Sequence, residues 1–289
     1  MQLKSKFEAG KFAILAELEP PKGVDTSQMV ANAKRVRDRV DAFVVPEMSN
    51  AVMRMSSLGA AMILQQRGLE AVVQVCCRDR NRIALQADLL AAYGCGIGNV
   101  MAVAGQDPSY GDHHKARSVY DIDIFELLQG IRELQEGRDM AGIELTGSPE
   151  FLVGSTVDAG SKGKSPELEQ EEMDRKIEFG ATFFITPPLF DITSLETFMK
   201  RVDRQKTNII PTVLLLKSLG MARYMARNMP EVYIPDELIE RIRKSPDKVR
   251  EGVRIAGELV TTLKREGFDG VLLATLGWEH KLPEILEFT

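Results

Sequence analysis

FAILAELEPPKG, residues 12–23, is an apolar run that ends in two carboxylates and a double proline. Its reading decides the fold. Phe12–Leu18 has the composition of a buried strand, and Pro20-Pro21 stops it. A dinucleotide-binding, doubly wound sheet would place G-x-G-x-x-G directly after such a strand, and here there is none. The chain puts Glu17 and Glu19 there instead. Side chains alternate faces along a strand, so the two acids project the same way.

The same pattern recurs along the chain. Expected strands are Asp41–Pro46, Ala71–Cys76, Asn99–Gly105, Phe151–Val157, Ala181–Pro187, Asn208–Leu216 and Gly270–Leu276. Several are apolar almost throughout, as parallel strands covered on both faces are. Helical patterns fill the gaps: 27–40, 57–68, 82–94, 123–137, 166–180, 194–205 and 247–267, several of them stopping at Gly. Asp123 and Ser194 stand where N-caps are expected. The GCGIG of residues 94–98 ends a helix and reads as a turn. About eight β–α units with no linker-like segment predict a single-domain (β/α)8 barrel over residues 1–289, a doubly wound sheet being the alternative. Two loops exceed ordinary length, 106–123 after the fourth strand and 157–169 after the fifth.

Composition narrows the function. The chain has 289 residues and a formal net charge of -5, which argues against nucleic-acid binding. No apolar run is long enough to span a membrane, and the first residues lack the apolar segment of a signal peptide. Three cysteines cannot form a disulfide framework, so a cytoplasmic protein is expected. Vicinal Cys76-Cys77 lacks metal-ligand spacing and reads as core. His113, His114 and His280 have no Cys at ligand spacing, and no metal site is expected.

Polar residues just past strand ends of a barrel face its mouth. These are Glu17 and Glu19; Gln74, Arg78, Asp79 and Arg80; Gly105, Gln106 and Asp107; Thr186, Phe190 and Asp191; Lys217 and Ser218; and Thr275, Trp278, Glu279 and His280. A carboxylate among apolar neighbours has a raised pKa and can donate a proton, so Glu17 is the leading catalytic candidate. The competing reading is a structural acid paired with an arginine at the rim. Arg78 and Arg80 lie in a charge run, usually a solvated face, but their place after a buried strand suits phosphate binding.

The strand ending Glu-x-x-Pro-Pro-Lys resembles that of methylenetetrahydrofolate reductases. Further matching stretches are 74–92, 105–123, 175–191, 211–225 and 273–286, so the resemblance runs over nearly the whole chain. It is nearest the short, single-domain form of anaerobic bacteria. The resemblance implies a flavin-containing barrel that moves a hydride between flavin N5 and the methylene carbon of 5,10-methylenetetrahydrofolate, giving 5-methyltetrahydrofolate, or the reverse. It implies that Glu17 protonates folate N10 to open the ring. It places Gln74, Ala104, Gly105, Gln106, Glu169, Glu172 and Lys176 at the flavin, Lys176 on the phosphate side. The family points to FAD; Ala104 stands in place of an arginine, which leaves FMN open. Electrons would come from NAD(P)H or from a partner subunit, in a homo- or hetero-oligomer.

The sequence departs from the family on the substrate side. Gln106 replaces an aspartate that holds the pterin and tunes the flavin; Asp107 is one residue away and offers a compensating carboxylate. Pro187 replaces a pterin-binding glutamine, Leu219 a phenylalanine that stacks on the aminobenzoyl ring, and Pro46 a threonine near the flavin. These departures favour a second reading, a flavin-binding electron-transfer or assembly subunit with lost or altered pterin chemistry. A third reading is a pterin-binding methyltransferase barrel without flavin.

Overall fold

Strands that are apolar on both faces must be covered on both faces, and here a closed barrel does so. The computed structural model describes residues 2–159, 165–229 and 232–289. Eight parallel strands, β1 (Ala13–Glu17), β2 (Ala42–Val45), β3 (Ala71–Cys76), β4 (Asn99–Val103), β5 (Leu152–Thr156), β6 (Phe183–Pro188), β7 (Asn208–Leu214) and β8 (Gly270–Ala274), pair in sequence order and β8 closes on β1. The (β/α)8 expectation is met. Most strands are a residue or two shorter than the apolar runs suggest. β6 runs one residue further, to Pro188, through a register irregularity against β7 between Ile185 and Pro188. Pro187 lies within the strand, as expected.

The helices are α1 (Gln2–Glu8), α2 (Ser27–Val36), α3 (Ser57–Gln65), α4 (Arg82–Gly94), α5 (Ile124–Gln135), α6 (Pro166–Glu178), α7 (Glu196–Met199), α8 (Leu219–Asn228), α9 (Asp236–Lys244), α10 (Lys248–Arg265) and α11 (Leu282–Leu286). Asp123 caps α5 in a full capping box with Glu126. Ser194 is not a cap. It sits inside a 3₁₀ turn, Ile192–Leu195, whose first amide groups are served by Asp191. The turn and α7 together take the place of the single helix expected over 194–205. Two helices not anticipated, α8 and α9, lie between β7 and α10. Of the long loop expected over 157–169, residues 160–164 fall outside the described residues.

Inside the barrel, Ala13, Leu15, Ala42, Val44, Val72, Met101, Leu152, Phe183, Ile185, Ile210 and Leu272 pack as one buried cluster. Alternation carries the same inward face on to Glu17 and Gln74, nearer the C-terminal ends of the strands. At the other end α1 closes the barrel. Leu3 and Phe7 join the interior cluster, with the Phe7 and Phe183 rings 5.9 Å apart. Glu70 holds α1 in place by accepting from the Gln2 and Leu3 amides. A larger cluster lies between strands and helices. A third, with Leu214 and Ala274 from the ends of β7 and β8, runs out to Ala222, Met225, Val232 and Ile234. Among the described residues, no helix is long and apolar enough to cross a membrane.

Candidate active site

β1 delivers two carboxylates to the mouth, and they meet different fates. Glu19 is caught by Arg54 of the loop after β2, at 2.9 Å. Among the described residues, no cation stands at ion-pair distance from Glu17. A part of Glu17 stays accessible through the mouth. Burial of its carboxyl is the main cause that lifts its pKa to about 7, with the negative charges of Glu19 and then Glu279 adding to it. Burial also raises Glu19, against the pull of Arg54 and Lys217. The arginine-paired structural acid weighed for Glu17 thus describes Glu19.

Gln74 lies on β3 in the inward register of Val72. Its Oε1 accepts from the Glu47 amide at 3.2 Å, which turns its side chain towards the neighbouring strand end. Glu47 itself is buried and was not anticipated. Its carboxylate accepts from the Ser57 amide at 2.8 Å and from Arg80 at 3.2 Å. Ser57 bridges the same strands, donating to the Val45 carbonyl and accepting from the Gln74 amide. The sequence signal was present: Glu47 directly follows the second strand, where a mouth residue is due.

The loop after β4 turns at Gly105, whose φ of +91° suits glycine. A Cβ there would also collide with the Cys76 sulfur. Cys76 and Cys77 are buried, and burial pushes their thiols up to about 11 and about 12, in keeping with a core role. Ala104 is exposed, and its carbonyl lies 3.5 Å from the Cys76 sulfur. Gln106 is exposed too, and its carbonyl accepts from Arg78. Asp107, the neighbouring carboxylate, is exposed. Its side chain is spent on the Ser109 amide, at 2.7 Å, capping its own 3₁₀ turn.

Further along, this loop is pinned to two others. The Asp112 carboxylate pairs with Lys22 of the loop after β1 and accepts from the Met53 amide of the loop after β2 at 3.0 Å. Gly111 approaches the Ala51 carbonyl so closely that any Cβ would displace it. Met48, Asn50 and Ala51 of that partner loop all have positive φ.

On the acidic helix α6, Lys176 and Glu169 are buried together with Met173. Lys176 donates to the Thr156 carbonyl at the end of β5, 2.8 Å, and pairs with Glu172 at 2.6 Å. An ammonium has three protons to give. Arg78 is bound bidentately to Asp79, and Arg80 to Glu47 and Asp88. Of the three cations considered for phosphate, only Lys176 is not tied to two protein carboxylate oxygens. Pro187 is half-buried on β6, the neighbour of β5, and Pro46 is buried after β2, while Leu219 packs against the third apolar cluster at the start of α8. Among the described residues, no group of His, Cys, Asp and Glu could hold a metal ion.

A description of the family Methylenetetrahydrofolate reductase matches residues 2–289. The chain belongs to the methylenetetrahydrofolate reductase family. Named relatives are distant. Methylenetetrahydrofolate reductase 2 of Schizosaccharomyces pombe is 26% identical over 195 residues, 65% of this chain and 30% of its own. The 5,10-methylenetetrahydrofolate reductases of Pectobacterium carotovorum and Salmonella typhimurium are 24% and 25% identical over 71% of this chain. The matches span 64% and 65% of those bacterial reductases, so the chain covers less than two thirds of these relatives. Among solved structures, a Clostridium thermocellum protein described as binding two copies of 5-methyl-5,6,7,8-tetrahydrofolic acid has a similar fold. Its TM-score is 0.60 at 14% identity, covering 100% of this chain and 97% of that one. The EDTA monooxygenase of Chelativorans sp. BNC1 follows, with TM-score 0.58 at 11% identity over 96% and 92%. At these identities the structural matches speak for the barrel alone.

Proposed function

We propose that the chain interconverts 5,10-methylenetetrahydrofolate and 5-methyltetrahydrofolate with a bound flavin, acting as one barrel over residues 1–289. The observation that carries this is the state of Glu17. A carboxyl with a pKa near 7 at the mouth of a barrel of this family is protonated in a large fraction of molecules at neutral pH. It is poised to give a proton to a weakly basic amine nitrogen.

The residues suit a flavin. Gln74 presents an amide inside the barrel, Ala104 and Gly105 offer backbone with little side chain in the way, and Lys176 brings an ammonium to the end of β5. In this reading Lys176 faces the phosphate side, with Glu169 and Glu172 beside it, and Gln106 lies near the ring. Flavin, when bound, supplies the hydride and takes it back. Glu17 protonates N10, the five-membered ring opens to the 5-iminium cation, and Glu19 stands by in its pair with Arg54. Of the two carboxyls, Glu17 thus serves as the acid, because Arg54 reaches the other one.

Folate contacts differ from the family pattern. Proline at 187 has no donor for the pterin, and Leu219 offers an aliphatic surface to the aminobenzoyl ring. FAD is the expected flavin, with NAD(P)H or an electron-delivering subunit as donor.

The test is a visible spectrum of the purified protein, followed by anaerobic addition of 5-methyltetrahydrofolate with an artificial electron acceptor. A flavin spectrum that bleaches on adding the folate supports the reading. A flavin that ignores the folate moves the chain to the electron-transfer or assembly role, which Gln106 and Pro187 favour. No flavin at all ends both.

A further inference from the structure

A side-chain amide has two ends, and at Gln74 the structure decides which end faces where. Its Oε1 lies 3.2 Å from the Glu47 backbone nitrogen. A backbone N–H only donates, so the oxygen belongs on that side and the NH2 group on the other. Nε2 is turned towards β4, 3.8 Å from the Met101 sulfur. Met101 is part of the cluster inside the barrel. Sulfur is a weak acceptor, and among the described residues Nε2 meets no other.

The Glu47 backbone is itself held, by its own carboxylate. That group is buried, and both its oxygens are used. One accepts from the Ser57 amide at the start of α3, 2.8 Å, the other from Arg80 after β3, 3.2 Å. Arg80 is tied in turn to Asp88 of α4, 3.0 Å. The Ser57 hydroxyl completes the frame, donating to the Val45 carbonyl at 2.6 Å and accepting from the Gln74 backbone amide at 3.0 Å. Two strand ends and two helices thus fix the one N–H that orients Gln74.

We propose that Glu47 is a positioning residue that turns the Gln74 amide so that the barrel interior meets an N–H donor there and not an acceptor. The ligand chemistry follows. A ring carbonyl or an unprotonated ring nitrogen is accepted at this point, and a ring N–H is refused. The inference deepens the flavin reading and rests on it only for the identity of the acceptor. Against a bound flavin, such a donor favours the electron-rich reduced ring and raises the reduction potential.

The test reads the amide directly. The full chain, labelled with ¹⁵N at glutamine side chains, is observed by NMR, with Gln74→Leu identifying the Gln74 signal. In the wild type the Gln74 NH2 pair should stand apart from the exposed glutamines. Glu47→Ala should move it among them. Glu47→Gln keeps an oxygen for the Ser57 amide and should hold the wild-type position. An unchanged Gln74 signal in Glu47→Ala overturns the proposal. Should that variant not fold, Glu47→Asp, one methylene short of both partners, decides in its place. With flavin bound, the reduction potential gives a second measure. Glu47→Ala and Gln74→Leu should each lower it, and the double variant no further than Gln74→Leu alone. An effect of Glu47→Ala that persists in the Gln74→Leu background overturns the proposal, because Glu47 then acts by another route. A chain without flavin whose Gln74 signal responds as expected keeps this inference and loses the flavin reading.

Discussion

Glu19 Oε2 stands 2.9 Å from Nη2 of Arg54, while among the described residues no cation stands at ion-pair distance from Glu17, two residues earlier at the end of β1. The consequence is that one acid of this strand end is held by a cation while burial and like charge lift the other to about 7.

Glu17→Gln should abolish folate oxidation and reduction while leaving flavin bound and reducible by dithionite. Stopped-flow measurement of the two half-reactions separates these. Normal turnover in this variant would remove Glu17 from the chemistry.

The same residue carries a signature in stability. Its pKa rises from 4.5 unfolded to about 7 folded, so between these values the folded state binds more proton than the unfolded one. Stability therefore falls as pH climbs through this window, by about 3 kcal/mol in total if the full shift is realised. Glutamine cannot ionise. Chemical denaturation at pH 8 should find Glu17→Gln more stable than wild type, with the difference vanishing near pH 4. An equal dependence in both proteins would contradict the raised pKa.

Gln106→Asp restores a carboxylate after β4. If Gln106 faces the isoalloxazine, a negative charge there disfavours the reduced anionic flavin, and the reduction potential should drop. Dye-equilibrated spectroelectrochemistry measures it. An unchanged or higher potential would place Gln106 away from the ring.

Asp112 joins three loops through Lys22 and the Met53 amide. Because these contacts are exposed, Asp112→Ala should barely move the thermal midpoint. Hydrogen exchange at the Met53 amide should accelerate, and folate should bind more weakly. A large fall in melting temperature with unchanged exchange would show a different role.

Phe183 fills the barrel interior against Phe7. Phe183→Ala should cost about 3–5 kcal/mol in urea denaturation. A cost below about 1 kcal/mol would mean that α1 does not seat on the barrel in solution.

The barrel was legible because its strands are apolar on both faces, recur about eight times and lack the glycine motif of the doubly wound alternative. Glu17 was legible from position alone, being a carboxylate on the inward register of the first strand. Other features lay beyond the reach of local pattern. Prolines 230 and 235 interrupt the periodicity of 219–244, which hides α8 and α9. The seven residues of α1 bury only Leu3 and Phe7. Asp191 precedes Ser194 by three residues and takes the capping role that the serine was expected to have. The Glu19–Arg54 pair spans 35 positions, and the approach of Gly277 to the Glu19 carboxylate joins the last strand to the first. The first depends on the pairing of β1 with β2 and the second on barrel closure, neither of which composition reveals. Arg78 and Arg80 looked available because a run of charges gives no hint of which carboxylates will claim them.

Leu3 and Phe7, seated in the base of the barrel, stop it like a plug, so among the described residues the carboxyl of Glu17 is approached from the other end, past the rim. In the proposed chemistry flavin and folate share that approach, and their exchanges must take turns.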